Sequence, residues 1–516
     1  MLLLIELLVP LCCLLLGATL LELKIKPGVP SWQARPLSSW WVHLGCVTLF
    51  YCLYLLVSQR PWFAASGVLA LYFILLMVNN VKFDSLKEPF VHQDFEYFTD
   101  AIRHPRLYLP FFGVARTLLG VLVSLLVVGA AIWVEPSLSA SFQLLHWLGV
   151  VGVLLIVALV MTLYACRYLP EMRVRPAEDL ARIGFLPMLC AYIRLACRPM
   201  KIDRPTRLEQ AAQPLLQSGS SPGAEKKSLP DLIVVQSESF FDPRVAYPFI
   251  RSDVLANFDQ ACLASVQYGE LTVPAWGANT VRTECAFLTG LTEQELGIHR
   301  FNPYRQLLKQ PDLPNLAGLL KQAGYQTICI HPYPQSFYQR DQVFKHLGFD
   351  QFIDIRNFEA DEYCGQYIGD QAVMDRVEAL MSEPAAQPRF IFVITMENHG
   401  PLHLEKPLPG SKGLFYQTEA PPECEDLTVY LQHLKNADNM IARLTALQKA
   451  SFRPCVVGWY GDHVPIMPDL YGRYGEPNGG TCYYINTAHS EGFKQTIKPI
   501  DMSAFTTELL RYVVCE

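Results

Sequence analysis

Cys455-Val456-Val457-Gly458-Trp459-Tyr460-Gly461-Asp462-His463 is the stretch on which the reading of the fold turns. A short run of β-branched and aromatic residues closed by glycine reads as a buried strand, and this one leads into a carboxylate and an imidazole. The pattern recurs three times in the second half of the chain. Leu232-Ile233-Val234-Val235 leads to Glu238, Thr327-Ile328-Cys329-Ile330 to His331, and Phe390-Ile391-Phe392-Val393-Ile394 to Glu397 and His399. Longer helix-patterned stretches separate these runs, so an α/β domain with a mostly parallel central sheet is expected over 230–516. In open α/β sheets, ligands bind beyond the carboxyl ends of the strands. A single histidine or glutamate there is usually an ordinary surface group, whereas four coincidences on one rim point to a shared site.

Carboxylates and imidazoles without thiolates suit a hard or borderline divalent cation such as Mn²⁺, Mg²⁺ or Zn²⁺. Asp462 and His463 are neighbours and would face opposite ways along a strand, so both reach one ion only from a turn. Gly461 and Pro465 make that turn plausible. Between the first two strand–ligand units lies Pro274-Ala275-Trp276-Gly277-Ala278-Asn279-Thr280, which reads as a turn opening into a helix. A helix N-terminus receives anions on its free N–H groups, and a hydroxyl beside a cation becomes a nucleophile. Thr280 fits that role; a plain helix cap is its ordinary alternative, and Thr283 is the competing hydroxyl.

The first half has a different character. Of the 516 residues, 51% are hydrophobic and only 17% charged, and the apolar excess lies mostly before residue 170. Five stretches, at about 2–23, 39–58, 62–80, 109–134 and 145–168, approach the ~20 apolar residues needed to span a bilayer, so 1–170 reads as a five-helix transmembrane region. The first lacks the basic start and small-residue cleavage site of a signal peptide. Residues 171–204 carry seven Arg or Lys interleaved with apolar residues; 171–229 therefore reads as a juxtamembrane amphipathic segment and linker, suited either to an anionic membrane surface or to a solvated helix. A net charge of −6 gives no sign of a nucleic-acid partner. The fifteen cysteines include no C-x-x-C pair outside the apolar runs, which argues against a zinc ribbon.

Glu238 in Gln-Ser-Glu-Ser-Phe, Thr280 in Gly-Ala-Asn-Thr-Val-Arg-Thr-Glu, Phe337-Tyr338-Gln339-Arg340-Asp341, Met396-Glu397-Asn398-His399-Gly400-Pro401 and Tyr460-Gly461-Asp462-His463 occur in this order. The set resembles lipoteichoic acid synthase-like phosphoglycerol transferases of the alkaline phosphatase/sulfatase superfamily, and the helical front end matches them too. The resemblance implies that Glu238, Thr280, Asp462 and His463 hold one Mn²⁺-type ion. It makes Thr280 the group that takes phosphoglycerol from phosphatidylglycerol, and an envelope polysaccharide or glycolipid the acceptor. It assigns His331, Tyr338, Arg340 and His399 to substrate binding, with Arg340 pairing bidentately with phosphate. Sulfatases proper carry a C-x-P-x-R motif after the first strand. Cys197-Arg198-Pro199-Met200-Lys201 ends in lysine and precedes that strand, so sulfatase activity is rejected.

Phosphoethanolamine transfer or phosphodiester hydrolysis on the same scaffold is the alternative, and a non-catalytic membrane sensor is the more distant one. The resemblance places the domain outside a bacterial inner membrane. Loop charge alone points the other way. With the N-terminus inside, the cytoplasmic loops carry only Arg60, while Lys24, Lys26, Arg35, Lys82, Lys87, Arg103 and Arg106 fall outside. An alkaline phosphatase fused at the C-terminus should be active and a fluorescent protein there dark; the opposite pair of signals would put the domain in the cytoplasm.

Overall fold

The computed structural model describes residues 1–97, scattered positions between 118 and 129, and residues 133–218, 229–488 and 493–515. The chain divides into two compact units, Met1–Pro199 and Met200–Glu516.

In the first unit, four helices among the described residues are long and apolar enough to cross a membrane: α1 (Leu2–Glu22), α2 (Leu37–Ser58), α3 (Pro61–Leu86) and α4 (Leu144–Ala165). They match four of the five expected spans. The fifth, at 109–134, falls largely outside the described residues. Leu2, Ile5, Phe73, Val153, Ile156 and Val160 lie exposed on their outer faces, a surface that water would disfavour and lipid would not. The last residue of α1, Glu22, is buried. Its carboxylate accepts from Arg35 Nη1 at 2.6 Å and from the Phe185 N–H at 2.7 Å, tying the α1–α2 loop to the start of α5 (Phe185–Ala196). The Phe185 ring packs beside Tyr72 of α3.

The second unit is built on one mixed sheet. Its strands are β1 (Asp231–Ser237), β2 (Gln267–Thr272), β3 (Gln326–Ile330), β4 (Gln351–Ile353), β7 (Arg389–Ile394), β8 (Cys455–Gly461), β9 (Thr481–Asn486), β10 (Thr496–Ile497) and β11 (Ile500–Asp501). β5 (Tyr363–Cys364) and β6 (Tyr367–Ile368) form a separate hairpin. The strand order is β10-β2-β9-β8-β1-β7-β3-β4, with β11 also on β2. The central run from β8 to β4 is parallel; β9 is antiparallel to both β8 and β2.

Alternation explains why the central strands are apolar on both faces. Ile233, Val235, Ile391, Val393, Val457 and Trp459 enter one core. Leu232, Val234, Phe390, Phe392, Val456 and Tyr460 enter the other. Successive side chains of a strand point to opposite faces, so helices must cover both. The helices that bear on the site are α6 (Thr280–Thr289), α7 (Arg340–Leu347) and α8 (Glu425–Ala450).

The register sets the rim. Ser237 of β1 lies opposite Gly461 of β8, and Gln236 opposite Ile394 of β7. The next residues are Glu238 on one strand and Asp462 on another. Gly461 permits this closeness, since a Cβ there would sit 1.8 Å from the Phe240 carbonyl oxygen and 3.2 Å from Thr481 Cβ. Gly461→Ala should therefore cost at least the ~1–3 kcal/mol typical of overpacking. Gly472→Ala, where a Cβ would meet nothing within 4 Å, should leave stability unchanged or slightly raised. Denaturant midpoints of the two variants measure the difference.

Candidate active site

β1 hands its chain to Glu238 and then to Ser239, which turns with φ 53°. That turn aims the Ser239 N–H at Asp462 Oδ1, 2.8 Å away, and the Ser239 hydroxyl at Glu238 Oε1, 2.9 Å away. His463 Nε2 stands 3.3 Å from Asp462 Oδ2 and 3.6 Å from Glu238 Oε1. All three side chains are buried, and one donor atom from each lies within 4.8 Å of the others. His463 Nδ1 lies 3.1 Å from the Val464 carbonyl. With its proton donated there, Nε2 presents a lone pair to two carboxylates.

A lone pair facing two anions inside a protein calls for a cation between them. Asp462 Oδ2 and His463 Nε2 are both buried without a hydrogen-bond partner. Ligands at 2.0–2.2 Å from one ion stand about 3 Å or more from each other, the range seen here. Burial, and then the Asp462 carboxylate beside it, push Glu238 up to about 8; a bound cation would reverse that shift. The three residues thus fit a divalent ion. Asp462 and His463 can both face Glu238 because β8 ends at Gly461.

Thr280 opens α6 after Asn279, which is left-handed at φ 67°, and it is buried. One turn on, the Thr283 hydroxyl donates to the Asp462 carbonyl at 2.9 Å. Thr283 therefore docks the start of α6 on the ligand loop and commits its own hydroxyl to that contact. Thr280 stands in the first turn of the helix, where Asn279 gives no side-chain cap and N–H groups lack intrahelical partners as a rule.

Arg340 is fully buried and lies over the Tyr338 ring, 5.3 Å from its centroid. Its Nε and Nη2 both bond Glu284, so the guanidinium fork is occupied and Nη1 is left buried without a partner. In this arrangement a phosphate would meet Nη1 alone. Tyr338 and Gln339, just before it, are both left-handed, at φ 55° and 56°. His331 Nδ1 lies 3.2 Å from the Ile394 carbonyl, and its Nε2 is buried without a partner. Burial, with Arg340 nearby, holds this imidazole well below its usual pKa and therefore neutral. His399 Nδ1 is held 2.6 Å from the Gly400 carbonyl.

Three features escaped the sequence reading. Glu284 is wholly buried and anchors both Arg340 and the Tyr304 hydroxyl; an acid directly before the apolar run Cys285-Ala286-Phe287-Leu288 was the available signal. Asn398 is buried with both amide atoms unpartnered. Glu397, expected on the shared rim, instead bonds His433 and Asn436 of α8.

The sulfatase family model matches residues 230–494, the span that contains every one of these groups. The chain belongs to that family, within the alkaline phosphatase/sulfatase superfamily. Among proteins similar to it is the capsular polysaccharide biosynthesis protein RkpI of Rhizobium meliloti (strain 1021), 25% identical over 462 residues, or 86% of this chain and 80% of that one. A putative cyclic beta-1,2-glucan modification protein of the same strain is 28% identical over 262 residues, 50% of this chain and 39% of that protein. Among solved structures, the phosphoglycerol transferase GacH of Streptococcus pyogenes, in complex with sn-glycerol-1-phosphate, aligns with a TM-score of 0.47 at 21% identity, covering 61% of this chain and 85% of that one.

Glu284→Gln keeps the shape but removes the charge beneath Arg340, and should cost about 3–5 kcal/mol, as breaking buried ion pairs does. Thr283→Ala removes one hydrogen bond and should cost about 1 kcal/mol. Chemical denaturation of the two variants side by side tests this ranking.

Proposed function

We propose that this protein transfers phosphoglycerol from phosphatidylglycerol to a hydroxyl of a cell-envelope glycan or glycolipid, through a covalent intermediate on Thr280. The observation that carries the reading is the buried trio Glu238, Asp462 and His463, with unpartnered donor atoms, docked against the helix that Thr280 opens. Family membership supports phosphate- or sulfate-ester chemistry. The absence of a C-x-P-x-R motif after β1 disfavours sulfate. The ordered motifs resembling lipoteichoic acid synthase-like proteins support phosphoglycerol, and relatives named for capsular polysaccharide and cyclic glucan support a glycan acceptor.

On this reading residues 230–516 are the catalytic domain, outside a bacterial inner membrane that residues 1–170 cross, and 171–229 join the two. Glu238, Asp462, His463 and the Thr280 hydroxyl would hold one divalent cation, Mn²⁺ by preference. Such an ion, when bound, lowers the pKa of a coordinated hydroxyl and offsets negative charge on the phosphate.

Thr280 Oγ forms a bond to phosphorus as the bond from phosphorus to the diacylglycerol oxygen breaks. Diacylglycerol leaves with a proton, the threonine having lost one, and glycerophospho-threonine remains. An acceptor hydroxyl then attacks the same phosphorus, releases Thr280 and carries the phosphoglycerol away. Arg340 Nη1 donates to a phosphate oxygen. His331 and His399, with Nδ1–H donated to backbone carbonyls, each present Nε2 to accept from a glycerol hydroxyl or to hold a transferred proton.

The full-length protein in detergent, incubated with Mn²⁺ and glycerol-labelled phosphatidylglycerol, should release diacylglycerol and carry label on the Thr280 peptide. Thr280→Ala should abolish both, with turnover falling on the order of 10⁴-fold or more, while Thr283→Ala retains both. Label on Thr283, or continued release by Thr280→Ala, would refute the nucleophile. Preferential consumption of phosphatidylethanolamine in a parallel incubation would refute the headgroup.

A further inference from the structure

Beyond the rim lies a second cluster. Cys364 ends β5, Glu397 follows β7, and His433 sits on α8; one donor atom from each lies within 4.8 Å of the other two. Glu397 Oε1 is 2.9 Å from His433 Nδ1. The Asn436 amide, one turn further along α8, donates to Glu397 Oε1 at 2.6 Å and reaches Cys364 Sγ at 3.5 Å. We propose that Cys364 Sγ, Glu397 Oε1 and His433 Nδ1 form a second, structural metal site, for a thiophilic borderline cation of the Zn²⁺ class.

The donor set argues for this class. Thiolate, imidazole and carboxylate together select Zn²⁺ over Mg²⁺ or Mn²⁺, in contrast to the sulfur-free set of Glu238, Asp462 and His463. The surrounding groups argue for a ligand set as well. A metal-bound histidine characteristically donates its other ring N–H to a carboxylate, and His433 Nε2 lies 3.0 Å from Glu405 Oε2. The second oxygen of Glu397 is fixed by the Asp370 N–H at 2.7 Å, and Glu405 Oε1 is held by Gln366. Beside the cluster, Asp370 keeps Oδ1 buried without a partner. Cys364, partly exposed, is the side from which an ion and a water as fourth ligand reach the site.

The site would matter for the first one. Glu397 directly precedes Asn398 and His399. The β5–β6 hairpin that carries Cys364 also holds this loop, through the Tyr367 hydroxyl on the Gly400 carbonyl and the Gln366 amide on the Pro401 carbonyl, each at 3.1 Å. One ion would thus pin the hairpin, the His399 loop and α8 together.

Cobalt substitution of the full-length protein in detergent provides the test, because only a cysteine-bearing site gives a thiolate-to-cobalt charge-transfer band in the near ultraviolet. The wild type should show that band with tetrahedral visible absorption. Cys364→Ser should lose it, and Glu238→Gln should keep it, which separates this site from the one beside Thr280. Zinc content measured by mass spectrometry should fall by one equivalent in Cys364→Ser. No thiolate band in cobalt-saturated wild type, or a band and zinc content unchanged in Cys364→Ser, would leave only a protonated-histidine clamp and overturn the metal.

Discussion

Two parallel strands running in step are what the second unit depends on. Because Ser237 lies opposite Gly461, the chain leaves β1 and β8 side by side, and the next residue on each is an acid. A one-residue slip in a parallel pair would turn every core side chain to the wrong face, so the apolar packing on both faces of the sheet also holds the two acids adjacent. The Ser239 N–H to Asp462 Oδ1 contact and the bare Gly461 then close the loops tightly enough for His463 to join them.

Around that junction the protein gathers polar atoms that folding alone does not satisfy. Asp462 Oδ2, His463 Nε2, His331 Nε2, Arg340 Nη1 and both amide atoms of Asn398 are buried and unpartnered. Each such group costs roughly 1–3 kcal/mol, and they come from loops following β1's neighbours β7 and β8, from the end of β3 and from α7. Two large apolar cores offset that cost. The distribution is that of a scaffold whose interior is arranged for stability and whose strand-end rim is arranged for a charged ligand.

The parts legible in sequence were those with a local signal. β1, β3, β7 and β8 announce themselves as apolar runs ending in His, Glu or Asp, because strands buried on both faces leave no polar alternation. β2, Gln267-Tyr268-Gly269-Glu270-Leu271-Thr272, has no such run and was not found; its pairing with β9 is a tertiary choice. The direction of Glu397 could not be read either, because it depends on which helix lies beside the loop, and His433 on α8 is one polar residue among many in an amphipathic stretch. Arg340 was recognised, but its partner Glu284 was not, since the pairing joins residues 56 positions apart.

The left-handed residues have a wider consequence. Ser239, Asn279, Tyr338 and Gln339 all hold φ between 53° and 67° at the loops of the site, a conformation that costs a residue other than glycine, asparagine or aspartate about 1–3 kcal/mol. Three of the four are therefore positions where glycine would make the chain sturdier and the loop looser. Selection for heat resistance and selection for turnover would act on the same few codons in opposite directions, so the substitutions that best harden this protein would trace the outline of its working surface.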